Sequence, residues 1–286
     1  MDDFKRKLIQ LHHSRDVGWK KIYELLKRDP KLDTLTCYPQ RENSTQSILS
    51  SQALKDFHST YIQEQIRQYS NQGIKAITIF DEEYPELLKQ IYQPPWVLYV
   101  KGDLSLLTKN PKLAVVGSRQ ASQYSHKSID ILFPELIKKD IIIVSGLASG
   151  VDTIAHQKAI YYHGQTIGVI AGGFYHIYPK ENKKLASEMM QRHLVMSEYP
   201  PHSNPEKWQF PMRNRIISGM SQGTLIVEAK RKSGSLITAN FAVNEGRDVF
   251  ALPGNILSPL SIGTNELIQQ GAKLVIHPND ILEEFF

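Results

Sequence analysis

Short apolar runs that alternate with helical stretches predict an α/β fold: a Rossmann-like, doubly wound, mostly parallel sheet preceded by a small all-α domain. Three observations carry this expectation. From Lys112 onward the runs KLAVVG, IIIVSG, TIGVIAGG, LVMSEY, GTLIVEA, DVFALPG and KLVI are continuous and rich in Val and Ile, as strands covered on both faces must be. Between them Ser125 to Lys139, Val151 to His163 and Leu236 to Glu245 have helical length and spacing. Residues 1 to about 70 lack strand-like runs, and Trp19, Ile22, Tyr23, Leu25 and Leu26 recur at helical intervals up to Asp29-Pro30.

In chain order, residues 1–72 read as the helical domain. A polar loop runs from Gln40 to Ser51, and a helix from Ala53 to about Tyr69 ends before Asn71-Gln72-Gly73. Twelve basic and nine acidic residues leave this part nearly neutral, so its charges read as solvated helix faces. Residues 73–110 open with a strand-like IKAITIF and continue as an extended connector, packed on the main domain, with prolines beside Trp96, Val97, Leu98 and Tyr99. Residues 111–286 form the sheet domain.

Composition narrows the function classes. At 286 residues and 41% hydrophobic the chain buries a sizeable core, which excludes disorder throughout. Its net charge of +5 is a mild basic excess that permits a polyanionic partner. Cys37 is the single cysteine, so neither an internal disulfide nor a Cys-based zinc cluster forms, and a reducing, cytoplasmic setting is expected. No stretch reads as a signal peptide or a membrane span.

Four strands run into turns of small or polar residues: VVGSRQAS, VSGLASGVD, IAGGFYHIYPKEN and VEAKRKSGSLIT. In a doubly wound sheet all such turns lie outside its carboxyl edge, where ligands bind. Gly117, Gly146, Gly150, Gly172, Gly173 and Gly234 admit close backbone approach, and the helix starts that follow present N–H groups to anions. The same edge should carry Arg119, Lys180, Arg213, Arg215 and the run Lys230, Arg231, Lys232. From Asn204 to Lys232 there are six basic residues against two acidic ones. Tyr124, Phe174, Tyr175, His176, Tyr178, Tyr199, Trp208 and Phe210 are interleaved with these charges, the combination that holds a single strand of nucleic acid. Within that set, Trp208 and Phe210 in WQFP read as a packed, rigid loop.

Enzymatic signatures are missing. There is no dinucleotide fingerprint after Gly117, no Walker A sequence, no H-E-x-x-H and no G-x-S-x-G. Asp152 and His156 share a helix face, which fits a helix-opening acid better than a catalytic pair. Glu228, closing TLIVE, is a conceivable general base without an obvious partner. No cofactor and no metal site is expected.

The motifs VVGSRQAS, VSGLASGVDTIAHQKAI, YPKENKKL, SEYPP, FPMRNRIISGM, VEAKRKSGSLITANFAVNEGRDVFALPG and NELIQQGAKLV, in that order, resemble the DNA-processing protein A (DprA, or Smf) family from residue 84 to about 275. The resemblance implies a SAM-like helical domain and a non-catalytic single-stranded-DNA-binding protein. It implies protection of incoming single strands and loading of a RecA-type recombinase in natural transformation. It also implies a homodimer meeting through Ile268 and Leu274, with Gln269 and Gln270 at the recombinase contact. The positions expected to touch DNA are Gly117, Ser118, Arg119, Ser145, Gly146, Lys180, Arg213, Asn214, Arg215, Ser233 and Gly234. Gln270 stands where the family more often has an acidic residue, and the stop at Phe286 leads us to expect no C-terminal winged-helix domain. The main alternative is a nucleotide hydrolase of the lysine-decarboxylase-like group, whose P-G-G-x-G-T signature is missing. A dinucleotide-dependent oxidoreductase lacks its fingerprint.

Overall fold

A computed structural model describes residues 2–36 and 48–286; Cys37 and most of the expected loop from Gln40 to Ser51 lie outside the described residues. The chain divides into two compact units, Met1–Glu82 with Pro95–Val100, and Glu83–Pro94 with Lys101–Phe286. Residues 73–110, expected as one connector, are thus shared between the two.

The first unit holds α1 (Asp3–His13), α2 (Trp19–Arg28), α3 (Ser51–Phe57), α4 (Thr60–Asn71) and the antiparallel pair β1 (Lys75–Thr78) and β2 (Val97–Gly102). Leu8, Ile9, Leu11, Ile22, Leu25 and Ile77 are fully buried there. The single helix expected from Ala53 to Tyr69 is two helices. Ser59 breaks it by capping α4, its side chain accepting the Ile62 N–H. The WVLYV segment, expected as extended connector, pairs as β2.

The second unit begins with α5 (Glu86–Lys89) and continues with β3 (Lys112–Val116), α6 (Gln123–Lys138), β4 (Ile142–Ser145), α7 (Val151–Tyr161) and β5 (Thr166–Ile170). It then runs through α8 (Lys183–Arg192), β6 (Leu194–Ser197), α9 (Gln209–Gly219), β7 (Gly223–Ile226) and α10 (Gly234–Asn244). It closes with β8 (Asp248–Ala251), α11 (Ile262–Gln269), β9 (Lys273–Leu274) and α12 (Asn279–Phe285). Every expected strand from KLAVVG to KLVI is present. The strands lie in the order β6-β5-β4-β3-β7-β8-β9, with neighbours parallel.

This order reverses direction at β3. From β3 the chain steps outward through β4, β5 and β6, then crosses back to β7 and steps the other way. Right-handed crossovers therefore put α6, α7 and α8 on one face and α10 and α11 on the other. Leu113, Val115, Ile143, Leu225 and Phe250 alternate along their strands to meet Ile129, Phe133, Val151 and Ile154 in one core cluster. The reversal leaves a crevice between the carboxyl ends of β3 and β7, the usual ligand position of such sheets. Among the described residues no helix is long and apolar enough to cross a membrane.

Candidate nucleic-acid interface

A cavity of about 880 Å³ occupies that crevice. The turn after β3 supplies Gly117, Ser118, Arg119 and Gln120; the turn after β7 supplies Lys230, Ser233, Gly234 and Ser235. Helix α9 contributes Phe210, Pro211, Arg213 and Asn214, while Lys207 precedes it and Tyr178 comes from the turn after β5. A smaller space beside it is lined by Arg119, Gly146, Ala148, Tyr178 and Phe210. Of the residues expected at DNA, Gly117, Ser118, Arg119, Arg213, Asn214, Ser233 and Gly234 thus meet in one cavity, and Gly146 joins through the neighbouring space.

Backbone approach between the turns is tight. Gly150 has φ +78°, and a Cβ there would collide with the backbone of Ser118 and Arg119. Asn182 holds the YPKEN turn against the turn after β4, its amide 2.8 Å from both Leu147 O and Thr153 Oγ1. Sequence reasoning passed over Asn182, although it belongs to the motif that singled out Lys180. Lys180 itself is exposed, two residues beyond Tyr178, and lines neither space.

The arginines divide into two kinds. Arg119 is exposed, and its guanidinium lies over the Phe210 ring at 5.4 Å. Arg213 is only 4% exposed and donates to the carbonyls of Gly146 and Val169, tying α9 to the ends of β4 and β5. Its charge also opposes the burial that pushes the Asp152 carboxyl upward. Arg215 is buried as well, paired with Glu198 at 2.5 Å and donating to Gln93 O at 2.8 Å. Buried and ion-paired in this way, Arg215 lines neither space at the sheet edge, unlike the expected DNA contacts gathered there. Ser145 lines neither space either, being fully buried with its hydroxyl on Val115 O.

The remaining candidates take clear places. Glu228 is buried and accepts from Ser122 N–H at 2.8 Å, Ser122 Oγ at 2.6 Å and Ser125 Oγ at 2.5 Å, which anchors the start of α6. Asp152 accepts from Ala148 N–H, whereas His156 pairs its Nδ1 with Thr166 Oγ1. They share a helix but, among the described residues, no hydrogen-bond partner. Trp208 and Phe210, expected in a packed loop, stand at the start of α9; Trp208 is exposed, and Phe210 lines the cavity with its ring inclined at 76° to that of Tyr178. Pro211 falls in the first turn of that helix, where its missing N–H costs nothing, so proline was no evidence for a loop. Ile268 is half-buried at the end of α11, Leu274 is exposed on β9, and Gln269 and Gln270 are exposed between them.

A sequence model described as DNA recombination-mediator protein A matches residues 75–286. The chain belongs to this family. DNA processing protein DprA of Bacillus subtilis is 46% identical over 261 residues, spanning 90% of this chain and 87% of the relative. The X-ray structure of DNA processing protein A from Streptococcus pneumoniae superposes with a TM-score of 0.87 at 39% identity, covering 100% of this chain and 99% of that one. The Helicobacter pylori structure, described for its unique single-stranded DNA binding mode, has a TM-score of 0.67 at 33% identity and covers 74% and 98%. Family membership makes the protein one of DNA processing and recombination.

Proposed function

We propose that this protein binds single-stranded DNA across the carboxyl edge of its parallel sheet, protects it, and loads a RecA-type recombinase onto it in natural transformation. It works in the cytoplasm as a homodimer, without chemical turnover. The observation that carries this reading is the character of the cavity rim. Arg119 and Lys207 are exposed in its lining with the rings of Phe210 and Tyr178, and Lys180 is exposed two residues beyond Tyr178; among the described residues none of the three cations has an ion pair. Cations meet phosphates and rings meet unstacked bases; a duplex keeps its base faces covered and gains only the first interaction. Gly117, Ser118, Gly146, Asn214, Ser233 and Gly234 supply close backbone and small polar groups, and Arg213 shapes the floor. Ile268 and Leu274 serve the dimer contact, and Gln269 and Gln270 the recombinase.

A nucleotide hydrolase would need Glu228 as its base. With its carboxylate taken by two serines, Glu228 supports the binding reading instead. The deciding experiment is a gel shift with one sequence as single strand and as duplex, using the natural protein and Arg119→Ala/Lys180→Ala. Preference for the single strand, weakened in the variant, is the expected result. Equal binding of both forms, or release of base from a nucleoside monophosphate, overturns it.

A further inference from the structure

The near-neutral charge of the helical unit conceals a local pattern on α2. Lys20, Tyr23 and Lys27 stand at i, i+3 and i+7, so they line one stripe of the helix. Lys20 and Lys27 are exposed and, among the described residues, take part in no ion pair. The lysines are about 10 Å apart along the helix axis, far enough to meet different phosphates. Between them Tyr23 is 48% exposed.

The tyrosine is held as a platform rather than left loose. One ring face stacks on Trp19 at 5.4 Å with 12° between planes, and Trp19 stacks in turn on Trp96 at 5.2 Å. The Trp96 indole N–H donates to Trp19 O at 3.1 Å, and Trp96 continues the ladder to Phe80 at 6.3 Å. The inner face of Tyr23 is thus covered by a fixed ring column, and its outer face is turned away from that column. A ring oriented beforehand loses little freedom when a base stacks on it.

We propose that this stripe is a second contact for single-stranded nucleic acid, separate from the sheet cavity, with Tyr23 stacking a base and Lys20 and Lys27 holding phosphates on either side. The charge argues for a polyanion, and the ring between the charges argues for one with exposed bases. The inference rests on the single-stranded-DNA reading above but uses none of its residues.

The test is binding of the full chain to an oligothymidylate of about thirty nucleotides, followed by fluorescence anisotropy at several salt concentrations. Tyr23→Ala should weaken binding about fivefold or more with the salt slope kept, whereas Tyr23→Phe should bind normally. Lys20→Gln/Lys27→Gln should flatten the slope by about 1.4, from roughly 0.7 per phosphate on a single strand. All these side chains are exposed, and circular dichroism should confirm unchanged folding. The same losses should recur in the Arg119→Ala/Lys180→Ala background. Unchanged affinity and slope in the α2 variants overturn the second contact while leaving the cavity reading intact. Loss in the α2 variants without loss in the cavity variant overturns only the cavity reading. A natural protein that fails to bind the oligonucleotide overturns both.

Discussion

The guanidinium of Arg119 lies 5.4 Å from the centre of the Phe210 ring, bringing a turn after β3 onto the first turn of α9. The pair offers a charge and a ring at one spot, and the two should fail differently. Arg119→Ala should weaken single-stranded DNA binding and reduce the salt slope by about 0.7, the share of one phosphate. Phe210→Ala should cost about 1–3 kcal/mol of binding through lost stacking and leave the slope unchanged. Anisotropy titrations across a salt series separate them, and a flattened slope in Phe210→Ala would contradict the assignment.

Arg213 should behave as a structural residue although it lines the same cavity. Removing it frees two buried carbonyls and leaves Asp152 buried without its compensating charge. Arg213→Ala should therefore destabilise the protein by about 3–5 kcal/mol in urea denaturation. Arg213→Lys should rescue little, because one ammonium does not reproduce the guanidinium fork. Arg119→Ala should change stability by less than about 0.5 kcal/mol, as an exposed substitution does. Equal stability losses at the two positions would show the division to be wrong.

Acid sensitivity should trace to His156. Its pKa is pushed from 6.5 down to about 3 by burial, so the folded state keeps the ring neutral. As pH falls below 6.5 the unfolded chain takes up the proton first, and stability is lost progressively until about pH 3. The full loss is at most about 4–5 kcal/mol. Asp152 acts in the opposite sense, because burial makes its folded carboxyl hold a proton to higher pH than the unfolded one. The comparison of interest is therefore the natural protein with His156→Gln, which should show a shallower acid limb in a plot of unfolding free energy against pH. Parallel acid limbs would exclude His156 as the cause.

The proposed dimer should depend on the outermost strand of the second unit. Leu274 on β9 is 42% exposed, and Ile276 beyond it is 70% exposed, an apolar edge beside a strand with no neighbour on that side among the described residues. Leu274→Arg and Ile268→Glu should each convert a dimer to folded monomer in sedimentation velocity, since a buried charge at an interface centre typically costs a few kcal/mol. A folded variant that still sediments as a dimer would place the interface elsewhere.

The sequence alone determined the strand order in the chain, the turns that follow each strand and the family. These are local: a continuous Val/Ile run, a glycine after it and a motif such as VVGSR are written in adjacent residues. Helix α9 was misread because a proline and two aromatics near its start resemble a rigid loop, and β2 because prolines crowd its approach. Only the tertiary structure decided which arginines are available. Arg119, Arg213 and Arg215 look alike in sequence, but Arg213 finds its acceptors 67 and 44 residues away and Arg215 finds Glu198 on another strand end. Such partners are brought together by crossover topology, and burial then removes the side chain from solvent and from any ligand. Neighbouring residues encode the strand, turn or helix a position sits in, not what its side chain meets there.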